Sequence, residues 1–305
     1  MKPLLATVFM EIKLLLRERL VILVGIIFVA LTIAASFIGW STSNTINHAY
    51  ELSRPFLAQG ASLPSNPFAD MSHLSLQRNI GMYFFLIGSL LAIIIGYRST
   101  LRDRLTHMSV LVMTRGLSKR QFVISKVTAV TLVLVSILFI SFLGTIIISS
   151  LFSELHITST QILHLALFYG LSLVHLLTFG LVGIMSGLLA KSQTMALLVP
   201  VTLWVIIGFV IPQVISGLEP TALLNPVSIT SIDQTQNFFT EIQKTIGPFS
   251  FAQNYRVAAN SLLEFAGSSA QIGALVASVF GAAIIAAVTT LWAAGRYRPS
   301  DEVSS

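Results

Sequence analysis

The chain has 305 residues, of which 54% are hydrophobic and only 10% are charged, and its mean hydropathy is +0.85. Soluble domains carry about 25% charged residues, so this composition excludes a soluble globular protein and indicates an all-α integral membrane protein. The absence of cysteine excludes disulfides, thiolate metal sites and cysteine nucleophiles.

The segment 1–19 predicts an amphipathic helix ahead of the first hydrophobic stretch. Its apolar stripe consists of Leu5, Phe9, Ile12 and Leu16. Its charged residues include Glu11, Arg17 and Arg19, which fall on other faces. Such a helix is suited to lie in the inner membrane interface with its cations near the head groups, although a solvated extension of the first span fits as well.

Six stretches are free of Asp, Glu, Lys and Arg and are long enough to cross a bilayer, which needs about 20 apolar residues. They cover residues 20–40, 80–97, 127–152, 162–190, 194–216 and 271–295. Most of the 18 basic residues fall in segments that share one side if the N-terminus is inside. The positive-inside rule then predicts that both termini are cytoplasmic in the plasma (inner) membrane, so no nucleic-acid partner is needed to explain the positive charge.

Residues 41–79 are rich in Ser, Asn and Pro and predict the first outer loop. Met71 and His73, together with His48, are weak candidates for copper ligands, because thioether and imidazole groups suit that metal. Residues of these types also meet in loops by chance, and no dedicated metal site is predicted.

Residues 98–126 predict a cytoplasmic hairpin with dense positive charge. Leu101, Leu105, Met108 and Val112 form one helical stripe. Gly116 is placed to end that helix. A capping box of Ser118 and Gln121 predicts that the next helix starts there and continues into the third span.

The fourth and fifth spans are joined by three residues and predict a tight antiparallel pair. Gly180, Gly183 and Gly187 predict close helix packing. Pro200 and Pro212 predict kinks in the fifth span. His164 and His175 share one face of the fourth span, and we interpret them as hydrogen-bonded interior residues rather than as a proton relay or a metal site. Ser186 in "GIMSG" is a weak candidate for a nucleophile, because the sixth span contains no histidine that could act as its base.

Residues 217–270 predict an outer segment with two amphipathic helices. The first is marked by Ile229, Ile232, Phe239, Ile242 and Ile246, and the second by Phe251, Tyr255, Ala259, Leu262 and Ala266.

Two kinds of chemistry are absent from the sequence. It contains no GxxxxGK[ST] or other glycine-rich phosphate cradle, so it cannot bind ATP by that route. The six spans contain no carboxylate or basic residue, which argues against an ion-coupled secondary transporter.

The layout resembles the permease subunit of type-2 ABC exporters, the ABC-2 family, across essentially the whole chain. "FMEIKLLLRERL", with Glu11, Arg17 and Arg19, is similar to the family's interfacial connecting helix. "LRDRLTHMSVLVMTRGLSKRQFVISK" is similar to its coupling region, and "LLNP" lies where the family places re-entrant outer helices. The coupling glutamate is missing, and Asp103 is the only acid in that region.

The resemblance implies that the hairpin docks on a separate cytoplasmic ABC ATPase, which would bind the ATP and Mg, while this chain binds no cofactor directly. The residues implied in ATPase coupling are Leu101, Arg102, Asp103, Arg104, Leu105, Met108, Val112, Arg115, Ser118 and Arg120. It also implies a second permease copy, as a homodimer or a heterodimer, with a candidate partner on the periplasmic or extracellular side.

The expected function is therefore export or transmission of motion across the membrane, driven by the ATPase. Permeases that serve maturation of copper enzymes such as nitrous oxide reductase are the most similar subgroup. The alternative is a membrane scaffold or an intramembrane enzyme with no ATPase partner.

Overall fold

The structure is a computed structural model and describes residues 2–17, 19–57, 72–106, 113–114, 117–151, 157–212, 241, 245, 247, 250–264 and 272–297. In these ranges every regular element is helical, which confirms the all-α class. The α-helices are α1 (Lys2–Arg17), α2 (Leu20–Leu57), α3 (Arg78–Tyr83), α4 (Ser89–Leu105), α5 (Lys119–Leu151), α6 (Ser159–Leu189), α7 (Gln193–Val205), α8 (Phe251–Leu262) and α9 (Ile272–Arg296).

Two π-helical segments and one 3₁₀ turn complete these elements. The 3₁₀ turn His73–Gln77 leads into α3, and the π-helical segment Phe84–Gly88 joins α3 to α4. The second π-helical segment, Ile206–Val210, extends α7 beyond Pro200, whose ring lies inside that helix.

Six helical segments in the described ranges are long and apolar enough to cross a membrane, which confirms the predicted number of spans. They cover Leu20–Leu52, Leu74–Leu105, Lys119–Leu151, Ser159–Leu189, Gln193–Val210 and Ile272–Arg296. Large apolar side chains such as Phe139, Ile285 and Trp292 are more than half exposed on the outside of the bundle. In a bilayer this outward apolar surface would face lipid.

The prediction that residues 41–79 form a loop is wrong as far as residue 57, because α2 continues to Leu57. Residues 41–54 contain neither Gly nor Pro, so nothing in that stretch ends the helix. The 3₁₀ turn packs against this long helix, and the Leu76 carbonyl lies so close to Gly39 that a Cβ there would overlap it.

The core lies where α4, α5 and α6 meet. The most extensive of the helix contacts joins α4 to α6. Aromatic rings fill the space beside this contact, with Phe84 stacked on Phe168 at 6.0 Å between ring centroids and edge-on to Tyr169 at 5.5 Å. Such ring pairs add to the stabilisation that burial of their apolar area supplies.

The bundle has two distinct ends. At the charged end, α4, α6 and α9 terminate and α5 and α7 begin, and Phe122 stacks on Tyr297 at 6.0 Å. At the far end, α3 and α6 begin and α8 terminates, and Gln161 donates a 3.0 Å hydrogen bond to Glu264.

Helix α8 occupies the position of the second predicted outer helix. Ala252, Tyr255 and Ala259 are buried in the bundle, and the Tyr255 hydroxyl lies 2.9 Å from Ser172 Oγ on α6. Ala266 lies outside the described residues. The same is true of the residues that mark the first predicted outer helix, which are Ile229, Ile232, Phe239, Ile242 and Ile246.

Candidate functional site

Four charged side chains from three helices meet at the charged end and form what is termed here the ionic clamp: Glu11 of α1, Arg102 and Asp103 of α4, and Lys126 of α5. Lys126 Nζ lies 2.6 Å from Glu11 Oε1 and also bonds Asp103 Oδ2. Arg102 donates to Glu11 Oε2 at 2.9 Å and to Asp103 Oδ1 at 3.2 Å.

Burial makes the pairing in the clamp essential. Glu11 and Lys126 are 0% exposed and Asp103 is 1% exposed, whereas Arg102 is partly exposed. A charge taken out of water is tolerated only when partners compensate it, and here two cations face two carboxylates. The clamp therefore fixes α1 to the helices on both sides of the hairpin.

The pKa of Glu11 is subject to opposing effects in this arrangement. Burial raises the pKa of Glu11 above its ordinary value, and the nearby Asp103 carboxylate raises it further. The Lys126 and Arg102 cations oppose that rise by favouring the charged carboxylate.

Arg104 performs a separate task at the same end. Its guanidinium donates hydrogen bonds to the carbonyl oxygens of Gly187, Leu188 and Ala190, at 3.2 Å and 3.4 Å for the first two. The last carbonyls of a helix lack partners within the helix and carry partial negative charge, so a cation stabilises the end of α6.

The roles expected for part of the hairpin need correction. Asp103 and Arg104 are buried and bond within the chain, so they are not surface residues for an ATPase. Leu101 is only 5% exposed and belongs to the wall of a groove rather than to a protruding stripe. The predicted stripe is wrong in its extent, because α4 ends at Leu105 with Thr106 as its cap and only Leu101 and Leu105 of the stripe lie in that helix.

Other hairpin residues keep an exposed position. Leu105, Ser118 and Arg120 lie on the surface, and Ser118 and Gln121 exchange capping hydrogen bonds of 3.0 and 3.2 Å. The predicted capping box at the start of α5 is therefore confirmed. Three further predicted coupling residues, Met108, Val112 and Arg115, and the cap residue Gly116 lie outside the described residues.

A groove of about 630 Å³ lies beside the exposed part of the hairpin. Its walls come from the end of α4 and the start of α7, with Arg98, Arg102, Leu105 and Gln193 among the lining residues. The groove combines apolar walls with two guanidinium groups.

Helix α1 presents its predicted apolar stripe outward, as a helix in the membrane interface would, but its acid is placed differently from the expectation. Leu5, Phe9 and Leu16 of the predicted stripe are 64%, 61% and 46% exposed, and the acid Glu11 points inward instead. Arg17 and Arg19 are exposed, as expected for residues outside the core. Glu11 is thus an interior partner of the clamp and not a surface residue.

The three glycines of α6 lie along α4. A Cβ added to Gly183 would overlap the Ile93 carbonyl oxygen, and one added to Gly187 would overlap Thr100 Oγ1. At Gly180 the nearest atom to such a Cβ is Val130 Cγ1 at 3.5 Å, an ordinary contact. Gly183 and Gly187, more than Gly180, allow the close approach of α4 and α6.

The two histidines of α6 lie in different surroundings. His175 is fully buried, 3.0 Å from Ser89 Oγ and stacked on Tyr255 at 4.0 Å. His164 is partly exposed, and its Nδ1 lies 2.8 Å from Glu264 Oε1. His164 is therefore accompanied by a carboxylate, although none lies in the fourth span itself.

Glu264 joins three elements at the far end. Its carboxylate accepts hydrogen bonds from Ser72 and from Gln161 in addition to the His164 contact. Partial burial raises the pKa of Glu264, but these hydrogen bonds outweigh it and the net pKa is lowered. Its φ of 55° ends α8 in the left-handed conformation.

The candidate metal ligands and the candidate nucleophile of the sequence gain no support from the described residues. These residues contain no group of three or more His, Asp or Glu side chains arranged to hold a metal. Met71 lies outside them, and His73 is placed at the start of the 3₁₀ turn. Ser186 donates a 2.9 Å hydrogen bond to the Ala196 carbonyl, a structural role at the turn into α7.

Comparison with known proteins places the chain in a family but not beside an individual curated relative. No curated protein sequence matches the chain. A family model does match, over residues 6–298, and it is described as ABC-2 family transporter protein. Because this match covers nearly the whole chain, the chain belongs to the ABC-2 family of membrane transport proteins.

Proposed function

We propose that this chain is the permease subunit of an ATP-driven transporter whose motor is a separate cytoplasmic ABC ATPase carrying the ATP and Mg. Family membership supports a permease, and the sequence has no glycine-rich phosphate cradle of its own. The observation that carries the proposal is the ionic clamp, because it joins α1 to both helices that flank the basic hairpin.

The ATPase would bind at the charged end. Leu105 lines the groove, and Ser118 and Arg120 are exposed at the start of α5. On the sequence resemblance, the proposed surface also includes Met108, Val112 and Arg115. The apolar residues of this surface, with arginines beside them, suit docking in an apolar groove of the partner, with the cations paired to acids there. The basic charge of this end also favours the anionic cytoplasmic leaflet of an inner membrane.

The clamp gives the proposed docking a mechanical consequence. A force on the hairpin reaches α4 through Asp103, α5 through Lys126 and α1 through Glu11, since these side chains are buried and bonded to each other. Closure of two ATPase subunits would then move three helices together rather than bend one loop. Export, or transmission of motion to an outer partner, would follow from that movement.

Two ATPase subunits imply two permease halves. The described residues supply six spans and the sequence contains no internal repeat, so we infer that a second copy completes the transporter, as a homodimer in the simplest case. The link to copper-enzyme maturation stays a prediction from sequence resemblance. The competing function is a membrane scaffold or intramembrane enzyme, which would need no ATPase.

The test is recovery of the ATPase with hairpin variants. The tagged chain is purified from its own host in mild detergent, and the bound protein is identified by mass spectrometry and assayed for Mg-ATP hydrolysis. The double variant Leu105→Asp, Arg120→Glu should lose at least about nine-tenths of the bound ATPase, because an acid in an apolar contact and a reversed charge both oppose docking.

Arg78→Glu serves as the matched control, since Arg78 is also an exposed arginine but lies at the far end. It should retain the ATPase at the wild-type level. Recovery of no ABC ATPase with the wild-type chain, or equal recovery with the double variant, would favour the scaffold or enzyme alternative.

A further inference from the structure

A second cavity opens at the far end of the bundle, between α3, α8 and the π-helical segment Ile206–Val210. Its volume is about 530 Å³. Ligand cavities in proteins commonly measure about 300–1,000 Å³, so this one is large enough for a lipid-sized molecule.

The polar part of this cavity is positive. Arg78 of α3 and Arg256 of α8 both line it, and no carboxylate occurs among its described lining residues. The guanidinium of Arg256 lies 5.9 Å from the centroid of the Phe85 ring. Arginine stays protonated at every physiological pH and matches the geometry of phosphate and carboxylate oxygens.

Carboxamide groups accompany the two arginines. Asn79, Gln253 and Asn260 also line the cavity. Amide nitrogens donate hydrogen bonds without adding negative charge, so they suit the remaining oxygens of an anionic head group.

The other part of the cavity is apolar. Met82 and Phe209 line it and are 58% and 44% exposed. Leu86, within the first π-helical segment, also lines it. An alkyl chain that covered these side chains would bury apolar surface, which stabilises the complex in proportion to the area removed from water.

The backbone around the cavity is unusual in both of its walls. Phe85 and Leu86 come from the π-helical segment Phe84–Gly88, and Gly208 and Phe209 come from the segment Ile206–Val210. Single π-helical turns cost stability and occur frequently at functional sites. A Cβ on Gly208 would make an ordinary contact with the Phe85 ring at 3.9 Å, so a longer side chain there would enter the space between the two walls.

We propose that this cavity binds one anionic amphiphile with a phosphate head group. Arg78 and Arg256 hold the phosphate, and its alkyl chain lies along Met82, Leu86 and Phe209. The site is distinct from the surface proposed for the ATPase, and the binding test below contains no ATPase, so its outcome does not depend on the function proposed above.

The full chain in detergent micelles is titrated with lysophosphatidate, and binding is followed by native mass spectrometry. Lysophosphatidylcholine with the same alkyl chain tests the head group, and inorganic phosphate tests whether a free anion suffices. Lysophosphatidate should bind at least about tenfold more tightly than lysophosphatidylcholine, and inorganic phosphate should not displace it at equal concentration.

The variants Arg78→Gln and Arg256→Gln should each weaken lysophosphatidate binding about tenfold or more, because each removes a charge-assisted hydrogen bond. Arg256→Lys keeps the charge and should restore part of the loss. Arg120→Gln removes an exposed arginine at the charged end and should bind as the wild type does. Gly208→Leu should block the alkyl chain, and its thermal unfolding is measured to show that the bundle remains folded.

Equal binding of the two lysolipids would overturn the proposal, as would wild-type affinity in both arginine-to-glutamine variants. Displacement of the lipid by an equal concentration of inorganic phosphate would assign the site to a free anion instead. The lysolipid and phosphate results are measured on the wild-type chain. Arg78 and Arg256 are exposed, so their replacement should leave the core intact.

Discussion

Lys126 is the residue whose removal should harm the fold most among the charged residues of the clamp. The substitution Lys126→Met keeps the length of the side chain but leaves Glu11 and Asp103 as buried carboxylates without their shared cation. Breaking a buried ion pair on one side costs about 3–5 kcal/mol. The free energy of unfolding, obtained from thermal unfolding in detergent, should fall by this amount.

The pH dependence of the Lys126→Met variant follows from the pKa of Glu11. Burial already raises that pKa in the folded chain, and loss of the lysine removes the main opposing interaction. The folded chain then binds more protons than the unfolded chain above the ordinary pKa of Glu11, so the stability of the variant should rise as the pH falls from 8 to 5.

Lys119→Met is the matched control, because Lys119 lies on the same helix but is exposed. It should change the free energy of unfolding by less than about 0.5 kcal/mol. Equal stability of the two variants would show that the clamp does not hold the bundle.

Residue types and spacing could not have revealed the clamp. Glu11, Asp103 and Lys126 flank hydrophobic stretches, where charged residues ordinarily face water or lipid head groups. Their partnership depends on how α1, α4 and α5 pack, and no local pattern records that packing. The contact of His164 with Glu264 was missed for the same reason, since 100 residues separate the two.

At the scale of the elements, the contact of α4 with α6 should depend on Gly183. The substitution Gly183→Leu places a side chain where the Ile93 carbonyl oxygen already lies, so the two helices must separate. Overpacking of this kind costs about 1–3 kcal/mol. The loss is measured by thermal unfolding, together with the yield of monodisperse protein.

Gly170→Ala provides the control on the same helix. A Cβ at Gly170 would meet no atom within 4 Å, and alanine has the higher helix propensity. This variant should be as stable as the wild type or more stable by up to about 1 kcal/mol. Similar destabilisation by both substitutions would mean that the close approach of α4 and α6 contributes nothing.

Hydrophobic length predicted the six spans, because a bilayer demands long uncharged runs and few other folds contain them. The same criterion misplaced the end of α2, since a helix continues past its apolar part until a backbone signal ends it. Local side-chain chemistry succeeded at Ser118 and Gln121, whose capping contacts involve only neighbouring residues. The two π-helical segments have no such local signal.

At the scale of the whole molecule, the two ends of the bundle differ in chemistry. The charged end holds the ionic clamp and the groove with Arg98 and Arg102, whereas the far end holds the cavity with Arg78 and Arg256. The proposed functions assign an ATPase to the first end and an amphiphile to the second. Both assignments require that the two ends face opposite sides of the membrane.

Single cysteines can test this topology directly, because the natural chain contains none and every introduced thiol is the sole labelling site. Ser118→Cys and Thr194→Cys place exposed thiols at the charged end, and Thr160→Cys places one at the far end. A membrane-impermeant maleimide should label Thr160→Cys in intact spheroplasts and the other two only after permeabilisation, because the positive-inside rule predicts that the charged end faces the cytoplasm. Labelling of Ser118→Cys before permeabilisation would put the hairpin outside, where no cytoplasmic ATPase could reach it. Labelling of all three from one side would contradict the crossing of α5 between the two ends.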